Sequence, residues 1–144
     1  MSEETIGIAA DHGGFALKQV IKDRIEAAGY RVLDLGTDSE DAVDYPDFAE
    51  KLVQAITSGQ IKRGILFCGT GIGVSIAANR HKGIRAALCY DEETIILSRQ
   101  HNDANILCLG GRKTGEVLAA RLVALFLETD FEGGRHTGRV KKLG

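Results

Sequence analysis

Short β-rich runs alternate with helical periods along nearly the whole chain, and this alternation predicts an α/β fold with a parallel sheet. Thr5–Ala10 reads as a first strand and Tyr30–Leu35 as a second. Ile65–Cys68 is apolar throughout, as a strand buried on both faces must be. Arg85–Tyr90 and Asn105–Leu109 complete five strands.

The intervening stretches repeat at helical spacing. Phe15 to Ala28 places Leu17, Val20, Ile21, Ile25 and Ala28 on one face, with Gly29 at the expected left-handed cap. After the acidic loop Gly36–Tyr45, Pro46 opens a helix that Gly59 closes. A short helix over about Gly73–Arg80 follows the third strand, and Asp91 is placed to cap one running to about Gln100. Thr114 is read as the cap of a long last helix with Val117, Leu118, Arg121, Leu122, Leu125 and Phe126 on its inner stripe. The polar, basic remainder from about 130 to 144 reads as a short arm or helix of the same single domain, 1–144.

Composition narrows the function classes. Eighteen basic against twenty acidic residues leave a net charge of −2, which offers no general attraction to nucleic acid or an anionic membrane. No apolar run approaches a membrane span and none resembles a secretory leader, so a cytoplasmic protein is expected. The three cysteines, Cys68, Cys89 and Cys108, are too few and too apolar in setting for a disulfide framework. No CxxC or HxxxH pair occurs, so no metal site is expected.

In an open parallel sheet, ligands gather at the carboxyl ends of the strands. Four of the five strand ends carry unusual residues: Asp11-His12, Cys68 with its glycines, Asp91, and Gly110-Gly111-Arg112. In Cys68-Gly69-Thr70-Gly71-Ile72-Gly73, alternate glycines let successive amides turn inward as a nest at a helix start. Such a nest holds a phosphate or the oxyanion of an enolised carbonyl, and its positive field favours a thiolate at its lip. Taken alone, the segment serves equally as a plain strand-to-helix turn. A dinucleotide site is a weaker competitor, because the glycines stand at relative positions 1, 3 and 5 rather than 1, 3 and 6.

His101-Asn102-Asp103 closes the fourth helix, where a histidine is by itself an ordinary dipole partner. Arg135-His136-Thr137-Gly138-Arg139 reads either as a solvated basic end or as two guanidiniums on one helical face that clamp a phosphate, with Arg112 adding a third charge.

Together these segments resemble the ribose-5-phosphate isomerase B family, which also contains allose- and galactose-6-phosphate isomerases. Asp11–Gly14, Asp44-Tyr45-Pro46, the Cys68–Gly73 turn with Ile76–Asn79 behind it, Ser98–Asp103, and Glu132–His136 with Arg139 match in family order. The resemblance implies a Rossmann-like three-layer α/β/α sandwich with a five-stranded parallel sheet of order 2-1-3-5-4. It also implies an aldose–ketose isomerisation of a phosphorylated sugar without cofactor or metal, chiefly ribose 5-phosphate to ribulose 5-phosphate.

By the same resemblance, Cys68 moves the proton between C1 and C2, while the amides of Gly69, Gly71, Ile72 and Gly73 hold the enediolate. His101 opens the sugar ring, assisted in proton movement by Asp11 and Thr70. His12, Arg112, Arg135, His136 and Arg139 face the phosphate, and Asn102 the sugar hydroxyls. Some relatives use a glutamate just after the turn; Val74 and Ser75 there place this chain with the cysteine users. Family members are dimers or dimers of dimers with sites shared between chains. Two alternatives stay open: an isomerase for a six-carbon sugar phosphate such as allose 6-phosphate, and a phosphate- or nucleotide-binding regulatory module.

Overall fold

A computed structural model describes residues 4–144. The elements run β1 (Thr5–Ala10), α1 (Phe15–Ala27), β2 (Arg31–Asp34), α2 (Tyr45–Thr57), β3 (Arg63–Cys68), α3 (Ile72–Asn79), β4 (Ala86–Leu88), α4 (Glu92–Gln100), β5 (Ile106–Gly110), α5 (Glu116–Glu128) and α6 (Arg135–Leu143). All strand pairings are parallel, in the order β2-β1-β3-β5-β4. This is the doubly wound sheet and the strand order expected.

Alternation of side chains along the strands builds two cores. Ile65, Phe67, Leu107 and Leu109 point to one face, where Leu17, Ile21 and Ile25 of α1 and Leu122 and Phe126 of α5 cover them. Leu66, Cys68 and Cys108 point to the other, against Leu52 and Val53 of α2 and Val74 and Ala78 of α3. The Cys68 side chain therefore lies in the α2/α3 layer.

Charge also enters the first layer. Lys18 of α1 is 1% exposed, and its Nζ donates to both carboxylate oxygens of Asp34 at 2.8 Å, tying α1 to the end of β2.

Three readings of the sequence are corrected. Thr114 does not cap α5: the cap position is Gly115, and the Thr114 hydroxyl is buried without a hydrogen-bond partner. The inner stripe of α5 is Ala119, Leu122, Val123, Phe126 and Leu127, while Val117 is 84% exposed and Leu118 and Arg121 also face outward. The helix is apolar on nearly every side, so periodicity leaves its buried face ambiguous. The fourth strand is trimmed to Ala86–Leu88, only partly buried. The basic end is helical as α6, and its backbone returns to α4 through the Glu132 N–H to Gln100 carbonyl bond of 3.1 Å. Among the described residues, no helix is long and apolar enough to cross a membrane.

Candidate active site

The strand order reverses between β1 and β3, and the crevice outside their carboxyl ends is where such sheets bind ligands. Asp11 follows β1 and Cys68 ends β3, so the acid and the thiol flank this switch point. Asp11 is buried, and its Oδ1 accepts the Gly14 N–H at 3.1 Å, which folds the Asp11–Gly14 loop back toward the sheet. His12 accepts the Val43 N–H at Nδ1 (3.1 Å), which leaves the proton of the neutral ring on Nε2.

The glycine turn is held by its neighbours. The Gly111 N–H donates to the Cys68 carbonyl (2.8 Å) and the Arg112 N–H to that of Gly69 (2.9 Å). The Arg112 guanidinium lies against Gly69, where a Cβ would come 2.9 Å from its Nη1. Gly71 takes φ +84°, a left-handed conformation that a side chain would strain. That turn aims the Gly71 N–H at the Cys68 sulfur, 3.1 Å away, while the Ile72 N–H points to the Thr70 hydroxyl at 3.1 Å.

Two amides expected to face a bound oxyanion thus serve the turn itself, one of them donating to the Cys68 sulfur. The first helical bond of α3 is Ser75 N–H to the Gly71 carbonyl, so the amides of Gly73 and Val74 lie in the stretch that has no helical partner.

Burial pushes the Cys108 thiol well up, with the neighbouring cysteines adding to it, and burial likewise raises Cys89. Neither is suited to act as a thiolate base. Asp91, the acid a dinucleotide reading would need, is occupied at the start of α4. Its Oδ1 accepts the Thr94 N–H and the Thr94 hydroxyl, both at 2.8 Å, and these bonds hold it below its usual value.

The remaining candidates collect at the other end of the sheet. His101 is the C-terminal cap of α4, and from there the chain enters β5 at its amino end. Cys68 pairs with Gly110 at the opposite end of that strand. A parallel strand rises about 3.3 Å per residue, so roughly 13 Å of β5 separates the two edges. At the amino edge the His101 and His136 rings stack, centroids 4.3 Å apart and 15° from parallel. His101, Asn102, His136 and Arg139 line a cavity of about 280 Å³ with Val140 and Leu143. Arg135, the first residue of α6, is exposed beside it. Burial, then the charges of His101, Arg135 and Arg139, lower the affinity of His136 for a proton.

Within one chain, then, Asp11, His12, Cys68–Gly73 and Arg112 are brought together, and His101, Asn102, Arg135, His136 and Arg139 form a separate group. The three-arginine clamp does not form within one chain, because Arg112 belongs to the first group.

Three side chains to which the sequence assigned no role lie at these two groups, Tyr45 and Glu132 within matching segments and Tyr90 outside them. The Tyr45 ring lies over Gly73, where a Cβ would come 2.7 Å from its Cε1. The Tyr90 hydroxyl donates to the Thr70 carbonyl at 2.9 Å. Glu132 reaches both histidines. Tyr90 stands at a strand end, which is the signal that would have found it.

Gly110 gives a direct check on the packing of the turn. An added Cβ would fall 2.5 Å from the backbone carbon and oxygen of Thr70, which cannot move without displacing the loop. Gly110→Ala is expected to cost about 1–3 kcal/mol in a denaturation experiment. It should also slow any reaction depending on the turn by up to about 100-fold.

A parallel sheet with a thiol, an acid and a glycine turn at its switch point defines an α/β enzyme that handles a small ligand at the carboxyl edge. Residues 6–143 match the Ribose/Galactose Isomerase family. Ribose-5-phosphate isomerase B of Escherichia coli is 44% identical over 138 residues, 96% of this chain and 93% of its own length. The ribose-5-phosphate isomerase B structures of Thermotoga maritima and Clostridium thermocellum are each 51% identical to it. The first superposes with a TM-score of 0.96 over 99% of this chain and 98% of its own, the second with 0.95 over 97% and 95%. The chain belongs to the ribose/galactose isomerase family.

Proposed function

We propose that the protein is a cytoplasmic ribose-5-phosphate isomerase that works as a homodimer, with Cys68 as the base. The observation that carries this reading is the Cys68 sulfur at the sheet's switch point, receiving the Gly71 amide in a chain of this family.

With the sugar ring open, the Cys68 thiolate takes the C2 proton of the aldose. The electron pair moves toward C1 and its oxygen becomes part of an enediolate, which the positive start of α3 stabilises. The proton returns from sulfur to C1, and O2 passes its own proton on toward O1, with Thr70 and Asp11 as the relay in this reading. A sugar α-proton is a weak acid, so a base without that stabilisation would achieve little.

His101 is the ring-opening group in this reading and Asn102 meets the sugar hydroxyls. Arg135, His136 and Arg139 receive the phosphate with His12 and Arg112, so that binding energy goes into orientation.

Because the two groups sit at opposite edges of one chain, the reading requires a second copy to bring its amino edge to Cys68. An apolar surface for this exists beside the turn. Ile72 and Ile76 share a face of α3 and are 48% and 56% exposed, with Tyr45 and Tyr90 also open nearby.

Purified protein assayed with ribose 5-phosphate and allose 6-phosphate side by side tests the reading. Faster turnover of ribose 5-phosphate, unchanged by EDTA, is the expected result. Preference for allose 6-phosphate would reassign the substrate. Loss of activity in EDTA, restored by a metal, would reject the thiol mechanism. Phosphate binding without turnover of either sugar would make the protein a binding module.

A further inference from the structure

His101, Glu132 and His136 bring three metal-binding atoms together at the amino edge, all within 4.8 Å of one another. We infer that this cluster is a binding site for a first-row divalent transition metal such as Zn²⁺, and that occupancy inhibits the enzyme. The second half rests on the function proposed above.

Each imidazole Nε2 stands 3.9 Å from the Glu132 Oε1. Zinc binds nitrogen and oxygen at about 2.0–2.2 Å in a tetrahedron, which asks for ligand atoms about 3.4 Å apart. Closing that gap takes about 0.5 Å on each histidine–glutamate edge. The Glu132 side chain is 52% exposed and free to swing inward. The stacked rings must also splay, through imidazole torsions that are soft.

The backbone beneath is already fixed. His101 N–H donates to the Leu97 carbonyl (2.9 Å), Glu132 N–H to Gln100 (3.1 Å), and His136 N–H to Gly133 (3.1 Å). Two nitrogens and one carboxylate oxygen, with a fourth position left for water, suit zinc, cobalt or nickel. They do not suit magnesium or calcium, which take six or more oxygens. Arg135 and Arg139 flank the cluster, so affinity comes from ligand donation and not from a negative surface. A metal on both Nε2 atoms would remove His101 from ring opening and His136 from phosphate binding.

Cobalt titrated into metal-free protein reads the site directly. The expected result is the visible absorption of four-coordinate Co²⁺, one ion per chain, with no thiolate-to-cobalt charge-transfer band, and displaceable by Zn²⁺ but not by Mg²⁺. Glu132→Gln should weaken binding at least about tenfold, since even an outer partner of a metal ligand is worth that much. Cys68→Ala should bind as the wild type does. Absence of cobalt binding, equal binding by Glu132→Gln, or a thiolate band that Cys68→Ala abolishes would overturn the site. Zn²⁺ should inhibit ribose 5-phosphate turnover reversibly with EDTA. Undiminished turnover at saturating Zn²⁺ would overturn the inhibition alone. A protein that binds cobalt as described yet turns over no sugar phosphate would sink the proposed function and leave the site standing.

Discussion

Cys68→Ala is expected to lower turnover of ribose 5-phosphate by roughly 10²- to 10⁴-fold, the range a positioned acid–base group supplies. The fold should survive, because the substitution removes one sulfur from an otherwise apolar layer, at about 1 kcal/mol. Cys68→Ser should fail nearly as badly, since a hydroxyl accepts the Gly71 N–H but is too weak an acid to supply a base. Exchange of the C2 hydrogen with deuterated solvent checks the step itself and should vanish with turnover. Cys89→Ala and Cys108→Ala are the controls and should keep most activity, as burial holds both thiols protonated. Near-normal turnover by Cys68→Ala would remove the thiol from the mechanism.

The largest expected effect on stability lies away from the chemistry. Asp34→Ala leaves the buried Lys18 ammonium without its carboxylate, held by the neutral Gln19 side-chain oxygen at 3.1 Å and the face of the Phe15 ring, 5.4 Å to the centroid. Breaking a pair of this kind costs about 3 kcal/mol or more, read as a fall in the urea midpoint at unchanged slope. Asp34 also accepts the Gly36 N–H at 3.0 Å, and the Gly36 carbonyl in turn accepts the Ala10 N–H at 2.8 Å, just before Asp11. The double replacement Lys18→Met with Asp34→Ala should recover much of the loss, since the uncompensated charge is gone. A single variant within 1 kcal/mol of wild type would mean that the lysine finds water or another partner.

Much of the architecture was legible because its signals are local. Ile65–Cys68 is apolar at every position, as only a strand covered on both faces is, and Gly59 and Gly29 mark helix ends. The Cys68–Gly73 turn was legible for the same reason: its chemistry and its backbone requirement lie in one short segment. The inner stripe of α5 was not, because apolar residues on nearly every side leave periodicity with little to choose between.

The division of the site between two edges was readable in principle. His101 ends a helix that leads into a strand, and in a parallel sheet such a helix returns the chain to the amino edge. Motif order along the chain does not carry that information, but topology does. Of the His101–Glu132–His136 cluster, only the four-residue spacing of Glu132 and His136 is local; His101 joins them when α6 folds back on α4.

In the proposed function the Cys68–Gly73 turn is half of the site, and a second copy supplies the other half. Mixing the two inactive variants Cys68→Ala and His101→Ala, with subunit exchange, tests that claim most directly. In a two-fold dimer a mixed pair rebuilds one site with both groups intact and spoils the other, so random mixing should restore about a quarter of wild-type activity. A mixture as inactive as its two components would contradict a site shared between chains.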